Sequence, residues 1–313
     1  MIGFVIRRVL TTIPVMAFVA LFVFSLLYIA PGDPAAVIAG DQASAEDIER
    51  IRHGLGLDRP FLVRFAEWTW QILRGDLGTS MFTGLPVTEL IKQRIEPTLS
   101  LMLVTLAFAI TVAVPIGVLA AWKAGGWLDR LFMAFAVLGF SVPVFVAGYL
   151  LAYVFALQLD WLPAQGYTPL SQGIWPWFEN LILPAIALGF VYIALIARTT
   201  RAAMLEVLSQ DYVRTARAKG VSEGGILFLH ALKNAAVPIV TVIGIGVALL
   251  IGGAVVTESV FAIPGLGRLT IDAIVRRDYP LIQGLVLMFS MVYVLVNLAI
   301  DLLYTLVDPR ISY

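Results

Sequence analysis

The sequence predicts an all-α integral membrane protein with six transmembrane helices and both ends in the cytosol. Three observations predict it. Hydrophobic residues fill 60% of the 313 positions and charged residues only 13%, against about 25% charged in a soluble domain. The apolar runs each approach the roughly 20 residues that cross a bilayer, and backbone groups in lipid need partners within their own segment, which selects helices. Lysine and arginine gather in short loops at 122–130 and 198–233 and are absent from 158–180; such loops face the cytosol.

Arg7 and Arg8 precede the first run, Val9–Ala30. It exceeds the 7–15 apolar residues of a signal peptide, so we read an uncleaved span with its N-terminus in the cytosol. Residues 31–97 form a polar outer region. Ser44 with Asp47 makes a capping box for a short helix to Gly54. Pro60 opens a second helix that ends before Gly75. Its Phe61, Phe65, Trp68 and Ile72 share one face at helical spacing, which packs on the protein's own surface, lies in the lipid interface or meets a ligand. A third helix runs from Pro86 to Arg94, and Pro97 opens the second span.

The later spans are Thr98–Ala121, Leu131–Leu157, Leu181–Ala197, Ile239–Val256 and Leu281–Leu303. Pro115, Pro143 and Pro184 fall inside spans, where proline kinks helices. Trp161, Trp175 and Trp177 suit an aromatic belt at the outer boundary. The outer loop Thr257–Pro280 departs from the charge rule with Arg268, Arg276 and Arg277. No charged residue lies well inside spans two to six; Glu258 and Asp301 sit near span ends, solvated or capping helices. Two regions follow: residues 1–95, a span with its outer extension, and residues 96–313, a five-span core.

Several chemistries are excluded. The net charge is zero, so nothing points to nucleic acid. There is no cysteine, and His53 and His230 cannot form a histidine cluster. No phosphate-cradling glycine loop, zinc-protease helix or nucleophile elbow occurs, so this chain holds no cofactor and cannot bind ATP by that loop. Proton-coupled carriers need intramembrane carboxylates or histidines, and secondary transporters show broken helices in matched halves; the sequence offers neither, which weighs against a stand-alone carrier or channel.

The longest polar interruption of the second half is Asp211–Pro238. A helix carrying Arg214, Ala216, Arg217 and Lys219 stops at Gly220, the residue type that ends helices in a left-handed conformation. Ser222 caps a second short helix with Glu223 in its first turn, offering Ile226, Leu227 and Leu229 and reaching His230. Pro238 sits where the next span begins. A mere connection is shorter than this.

This stretch resembles the cytoplasmic EAA loop of ATP-binding-cassette importer permeases. More narrowly, QDYVRTARAKG at 210–220, followed by His230, Asn234 and Pro238, is similar to the dipeptide/oligopeptide/nickel/glutathione family, in the form of its first permease subunit. The general pattern has a glutamate near 214, where this chain has Arg214-Thr215-Ala216, the form usual in the peptide family. PGDP at 31–34, GDLG at 75–78, WLP at 161–163, PGLG at 264–267, RDYP at 277–280 and DPR at 308–310 extend the resemblance over nearly the whole chain.

The resemblance implies a type I importer fold in a bacterial or archaeal cytoplasmic (inner) membrane. It implies a heterodimer with a second permease, two ATP-binding subunits or domains that hold ATP and magnesium, and an extracytoplasmic substrate-binding protein. The ATPase-coupling loop is then 198–238, with Asp211, Arg214, Ala216, Arg217, Lys219, Gly220, Ser222, Glu223, Ile226, Leu227, Leu229 and His230. Ile226, Leu227 and Leu229 either fill a groove on the ATPase or pack on the permease's own helices. Gly244, Ala248 and Gly252, at four-residue spacing, suit a close helix contact beside the pathway, or reflect only how common glycine is in membrane helices; Ser141 and Pro143 join them as pathway candidates. The helix Gly267–Arg277, with Arg268, Asp272, Arg277, Asp278 and Tyr279, either meets the binding protein or is a solvated connector.

Overall fold

The structure is a computed structural model and describes residues 2–29, 35–36, 44–54 and 56–307. PGDP at 31–34 and DPR at 308–310 lie outside the described residues. Helices dominate, and among the described residues the one β-type pairing joins Thr79 and Pro86. The chain forms two compact units, Met1–Ile95 with Leu269–Val294, and Glu96–Arg268 with Leu295–Tyr313.

In the first unit, α1 (Ile2–Ile29) carries the apolar span Leu10–Ile29. Helix α2 (Ala45–Gly54) starts on the capping box: Ser44 Oγ accepts from the Asp47 N–H at 3.2 Å, and the Asp47 carboxylate accepts from the Ser44 N–H at 3.4 Å. The Ser44 hydroxyl donates to that carboxylate and holds the Asp47 pKa below its ordinary value. Helix α3 (Phe61–Leu73) lays its aromatic face on α1. Phe24 meets Phe61, Phe65 and Trp68 with ring centroids 5.2–5.5 Å apart, and Tyr28 meets Phe61 at 5.1 Å. Of the three readings of that face, packing on the protein itself is the one observed. After α3 the N–H groups of Gly75 and Asp76 return to Ile72 and Gln71, the paired bonds that close a helix on a left-handed glycine.

Helix α4 (Val87–Trp122) runs 36 residues through Pro97 and Pro115. The expected break at Pro97 is therefore corrected. Proline removes one donor and costs about 3 kcal/mol inside a helix, and burial on both sides of it (Val87, Leu90, Leu101, Met102) offsets that.

In the second unit, α5 (Trp127–Ser141) and α6 (Val144–Leu151, widening into a π-turn over Ala152–Gln158) meet at 102°. The expected continuous span Leu131–Leu157 is thus a broken pair, and helix-breaking geometry does occur. Pro143 takes extended backbone, φ −59° and ψ 139°, which proline's ring permits and a helix does not. Helix α7 (Ile174–Leu208) is the central element, with Pro184 inside it and no break. Its Leu181, Leu188, Tyr192 and Ile196 share one core with Leu101, Ala109 and Ala113 of α4 and Leu250 and Ala254 of α9 (Ala236–Val260). Helix α8 (Asp211–Ala218) lies between α7 and α9 in sequence. Helices α10 (Leu266–Arg276) and α11 (Tyr279–Val307) complete the chain. Among the described residues five helices are long and apolar enough to cross a membrane, and the bent pair is a sixth if it counts as one span.

Candidate functional site

The loop between α7 and α9 is built by local hydrogen bonds. Gly220 has φ +83°, and the Gly220 and Val221 N–H groups return to Arg217 and Ala216 at 2.9 and 3.2 Å. This is the full left-handed helix stop with its two reversed bonds. Ser222 Oγ accepts from Gly225 N–H at 3.3 Å, and Arg217 donates to Glu223 at 2.9 Å across the turn. The ion pair is exposed and contributes little energy; it bridges the two halves of the loop. Asp211, Arg214, Lys219 and Ser222 are exposed, Ala216 is half-buried, and Arg214 donates to Asp211 at 3.4 Å.

The second half is not the α-helix the sequence suggested. Residues Gly225–Ala231 form a π-helix, a wider turn that recurs at functional sites. The extra residue per turn brings Ala231 rather than His230 onto the buried face beneath Ile226. Ile226 and Leu227 are 0% and 4% exposed, and Leu227 packs with Ala231, Val118, Ala203, Met204 and Ile239. Of the two readings, Ile226 and Leu227 therefore pack on the chain's own helices and are corrected as groove-filling residues. Leu229 stays outside at 68% exposed, joined by Phe228 at 56% and Tyr212 at 44%. Phe228 escaped the sequence reading, which took Ile226, Leu227 and Leu229 as the apolar side chains of this segment. His230 is half-buried, and its carbonyl accepts from Asn234 Nδ2 at 2.6 Å.

The small-residue row of α9 divides. Gly244 is buried where a Cβ would strike Ile300 of α11, Ala248 is half-buried, and Gly252 faces open space. Ser141 and Pro143 are exposed at the α5–α6 break.

The outer set divides too. Arg268, Asp272 and Arg277 are exposed, whereas Asp278 and Tyr279 are buried and corrected as partner contacts. Asp278 Oδ2 accepts from Ser80 Oγ at 2.5 Å, while Oδ1 accepts from Met81 N–H at 3.2 Å and from Leu281 N–H at 3.5 Å, the N-cap bond of α11. GDLG and RDYP thus meet in one clamp, with Gly78 against Pro280.

Glu258 is fully buried, so of the two readings for it helix capping is observed and solvation is not. Thr98 Oγ1 donates to Oε1 at 2.5 Å, and Arg268 N–H donates to Oε2 at 3.0 Å in the first turn of α10. Thr98 Oγ1 itself accepts from Leu266 N–H at 2.8 Å. A negative charge suits that helix end. PGLG supplies the room: a Cβ on Gly265 would sit on the Glu258 carboxylate, and one on Gly267 would strike the Val255 backbone first and that carboxylate second. A further polar chain links Trp177 Nε1 to Ser100 Oγ (3.0 Å), Ser100 to the Tyr167 hydroxyl (3.1 Å) and Tyr167 to Glu96 (3.0 Å). Burial raises the Tyr167 pKa. Among the described residues no three His, Asp or Glu side chains form a metal group.

The family model for the binding-protein-dependent transport system inner membrane component matches residues 113–313, and its N-terminal companion matches residues 1–102. The chain belongs to this family. The permease is 56% identical over 310 residues to a protein of Sinorhizobium fredii named as a probable peptide ABC transporter permease, covering 99% of each chain. It is 43% identical over 313 residues to the glutathione transport system permease protein of Salmonella paratyphi A, covering all of both. Among solved structures, the inward-facing methionine ABC transporter MetNI matches with a TM-score of 0.59 at 19% identity, over 70% of this permease and 96% of that chain; that likeness is one of fold. The permease is thus a multi-pass inner-membrane subunit of an ABC importer.

Proposed function

We propose that this permease forms, with a second and different permease, the pathway for peptides or glutathione-like solutes delivered by an extracytoplasmic binding protein. The full-length similarity to permeases named for peptide and glutathione transport supports that substrate class. ATP and magnesium are held, and ATP is hydrolysed, by two partner subunits or domains. The bent pair counts as one span, giving six with both ends in the cytosol, residues 96–313 as the transport core and residues 1–95 as an added span with its outer region.

Coupling runs through 198–238, and the observation that carries it is the exposed apolar tip of that loop. The Gly220 stop and the Arg217–Glu223 pair hold a short projection whose Phe228 and Leu229 are uncovered in this chain. An apolar helical tip entering a hydrophobic groove is a common recognition mode, and closure of the ATPases moves it as a rigid element. Asp211, Arg214, Lys219, Ser222 and His230 border the contact, and buried Ile226 and Leu227 tie it to the spans.

The test is uptake, ATPase co-purification and binding-protein-stimulated ATP hydrolysis in Phe228→Ala and Leu229→Ala. Losses in all three with an intact permease are expected; normal values would remove the loop from the coupling path. Cysteines at Ser171 and Glu49 should react with an impermeant reagent from outside, and one at Ser222 should not. The reverse pattern would overturn the orientation.

A further inference from the structure

The first unit contains a cavity of about 270 Å³ between α1, α3 and the start of α11, lined by Arg64, Trp68, Gln71, Leu57, Met81 and Gln283 among others. Arg59 and Glu67, also in the lining, bind each other through two parallel hydrogen bonds of 2.8 Å and cancel in charge. Arg64 is different. Its guanidinium lies over two rings, 5.7 Å from the Phe24 centroid and 5.3 Å from Tyr28, and donates to the Tyr28 hydroxyl at 2.5 Å. Among the described residues no carboxylate pairs with it. A guanidinium has five donor hydrogens, so most of its fork remains for a ligand, and it is half-buried where screening is weak.

Its position says which ligand. Tyr28 is the penultimate residue of the apolar span Leu10–Ile29, the depth at which a bilayer's headgroups lie. The cavity wall also carries Phe24, Leu27, Leu57, Trp68, Leu77 and Met81. A soluble anion gains nothing from such neighbours, whereas a lipid gains burial for its chains. A planar fork recognises phosphate oxygens well.

We propose that this cavity binds the phosphate-bearing headgroup of a membrane phospholipid, with Arg64 on the phosphate and the apolar lining against the first carbons of the acyl chains. The lipid is thereby a resident part of the first unit rather than bulk solvent for it. The proposal stands apart from the transport reading, since it concerns neither pathway nor coupling.

The purified transporter complex is titrated with dioleoyl phosphatidylglycerol, and bound lipid is counted by native mass spectrometry. Arg64→Met should weaken retention about tenfold, the effect of losing one charge-assisted contact, while Arg50→Ala, an exposed arginine paired with Asp47, should not change it. Gln71→Trp changes an exposed helix position and narrows the cavity with Arg64 and its rings intact, so it reads the site even if Arg64→Met fails to fold; it too should lower retention. Inorganic phosphate and glycyl-leucine are titrated in parallel and should show no binding that depends on Arg64. Lipid retention unchanged by Gln71→Trp or by folded Arg64→Met would overturn the proposal. So would Arg64-dependent binding of phosphate or of the dipeptide without lipid, which would assign the site to a soluble anion.

Discussion

Arg201 donates from Nε and Nη2 to the two carboxylate oxygens of Asp129, at 2.5 and 2.7 Å. Gly125 N–H adds a third donor at 2.9 Å. The Asp129 side chain is 6% exposed and that of Arg201 27%, so the pair locks the first turn of α5 to the far end of α7. Arg201→Ala leaves a buried carboxylate with one donor. It should cost about 3 kcal/mol, the low end for a broken buried pair because Arg201 is partly solvated. The double variant Arg201→Met with Asp129→Leu should recover most of it, as read by thermal melting of the purified permease.

Leu227→Ala and Phe228→Ala should separate two roles on neighbouring residues. Leu227 is core, and truncation should lower permease stability by about 2–5 kcal/mol. Phe228 is exposed, so its truncation should leave melting unchanged and reduce ATPase co-purification. Measuring melting and co-purification on each variant checks the split.

Gly220→Ala should cost about 1 kcal/mol from backbone handedness alone, because nothing lies within 4 Å of the added Cβ. Gly220→Asn should cost less, since asparagine tolerates that conformation. Melting ranks the two, and uptake should fall in the same order if the angle between the loop's halves transmits motion.

Asp278→Ala removes an acceptor that serves Ser80, Met81 and Leu281 at once. The loss should be about 2–3 kcal/mol, from the N-cap and the stranded donors together. Hydrogen exchange should rise in 75–86 and at the start of α11 together; a rise in one segment alone would contradict the clamp.

The spans were legible in the sequence because hydropathy is a summed, local signal; the runs Thr98–Ala121, Leu181–Ala197, Ile239–Val256 and Leu281–Leu303 each lie within one helix, and Leu131–Leu157 is split at Pro143. Helix ends extended past them, as at Ile174 and Leu208, where polar residues continue a helix that hydropathy cannot see. Pro97 was read as opening a span and Pro115, Pro143 and Pro184 as kinks inside spans, yet Pro97 and Pro184 are absorbed while Pro143 breaks its span. Only neighbouring packing decides between those outcomes. In the loop, Gly220 and Ser222 were legible from chain-local chemistry. The buried side of 225–231 was not, because one extra residue per turn changes which side chains face in. Asp278 was misjudged for a related reason, and the choice between the two readings of Glu258 stayed open for the same one: their partners are 198 and 160 residues away, and no local pattern announces them.

Glycines in this chain answer two different questions. Gly220 answers one of handedness, so a D-alanine placed there by chemical synthesis would fit the backbone better than its mirror image. Gly265 and Gly267 answer one of volume, since the Glu258 carboxylate at Gly265 and the Val255 backbone at Gly267 already occupy the space a methyl group needs. A saturation library should therefore show opposite tolerance profiles at these sites. At Gly220 losses should be graded by residue type. At 265 and 267 there should be a cliff at the first carbon, as steep for alanine as for leucine; at 265 it should shrink when Glu258 is shortened in the same molecule, and at 267, against backbone, it should not.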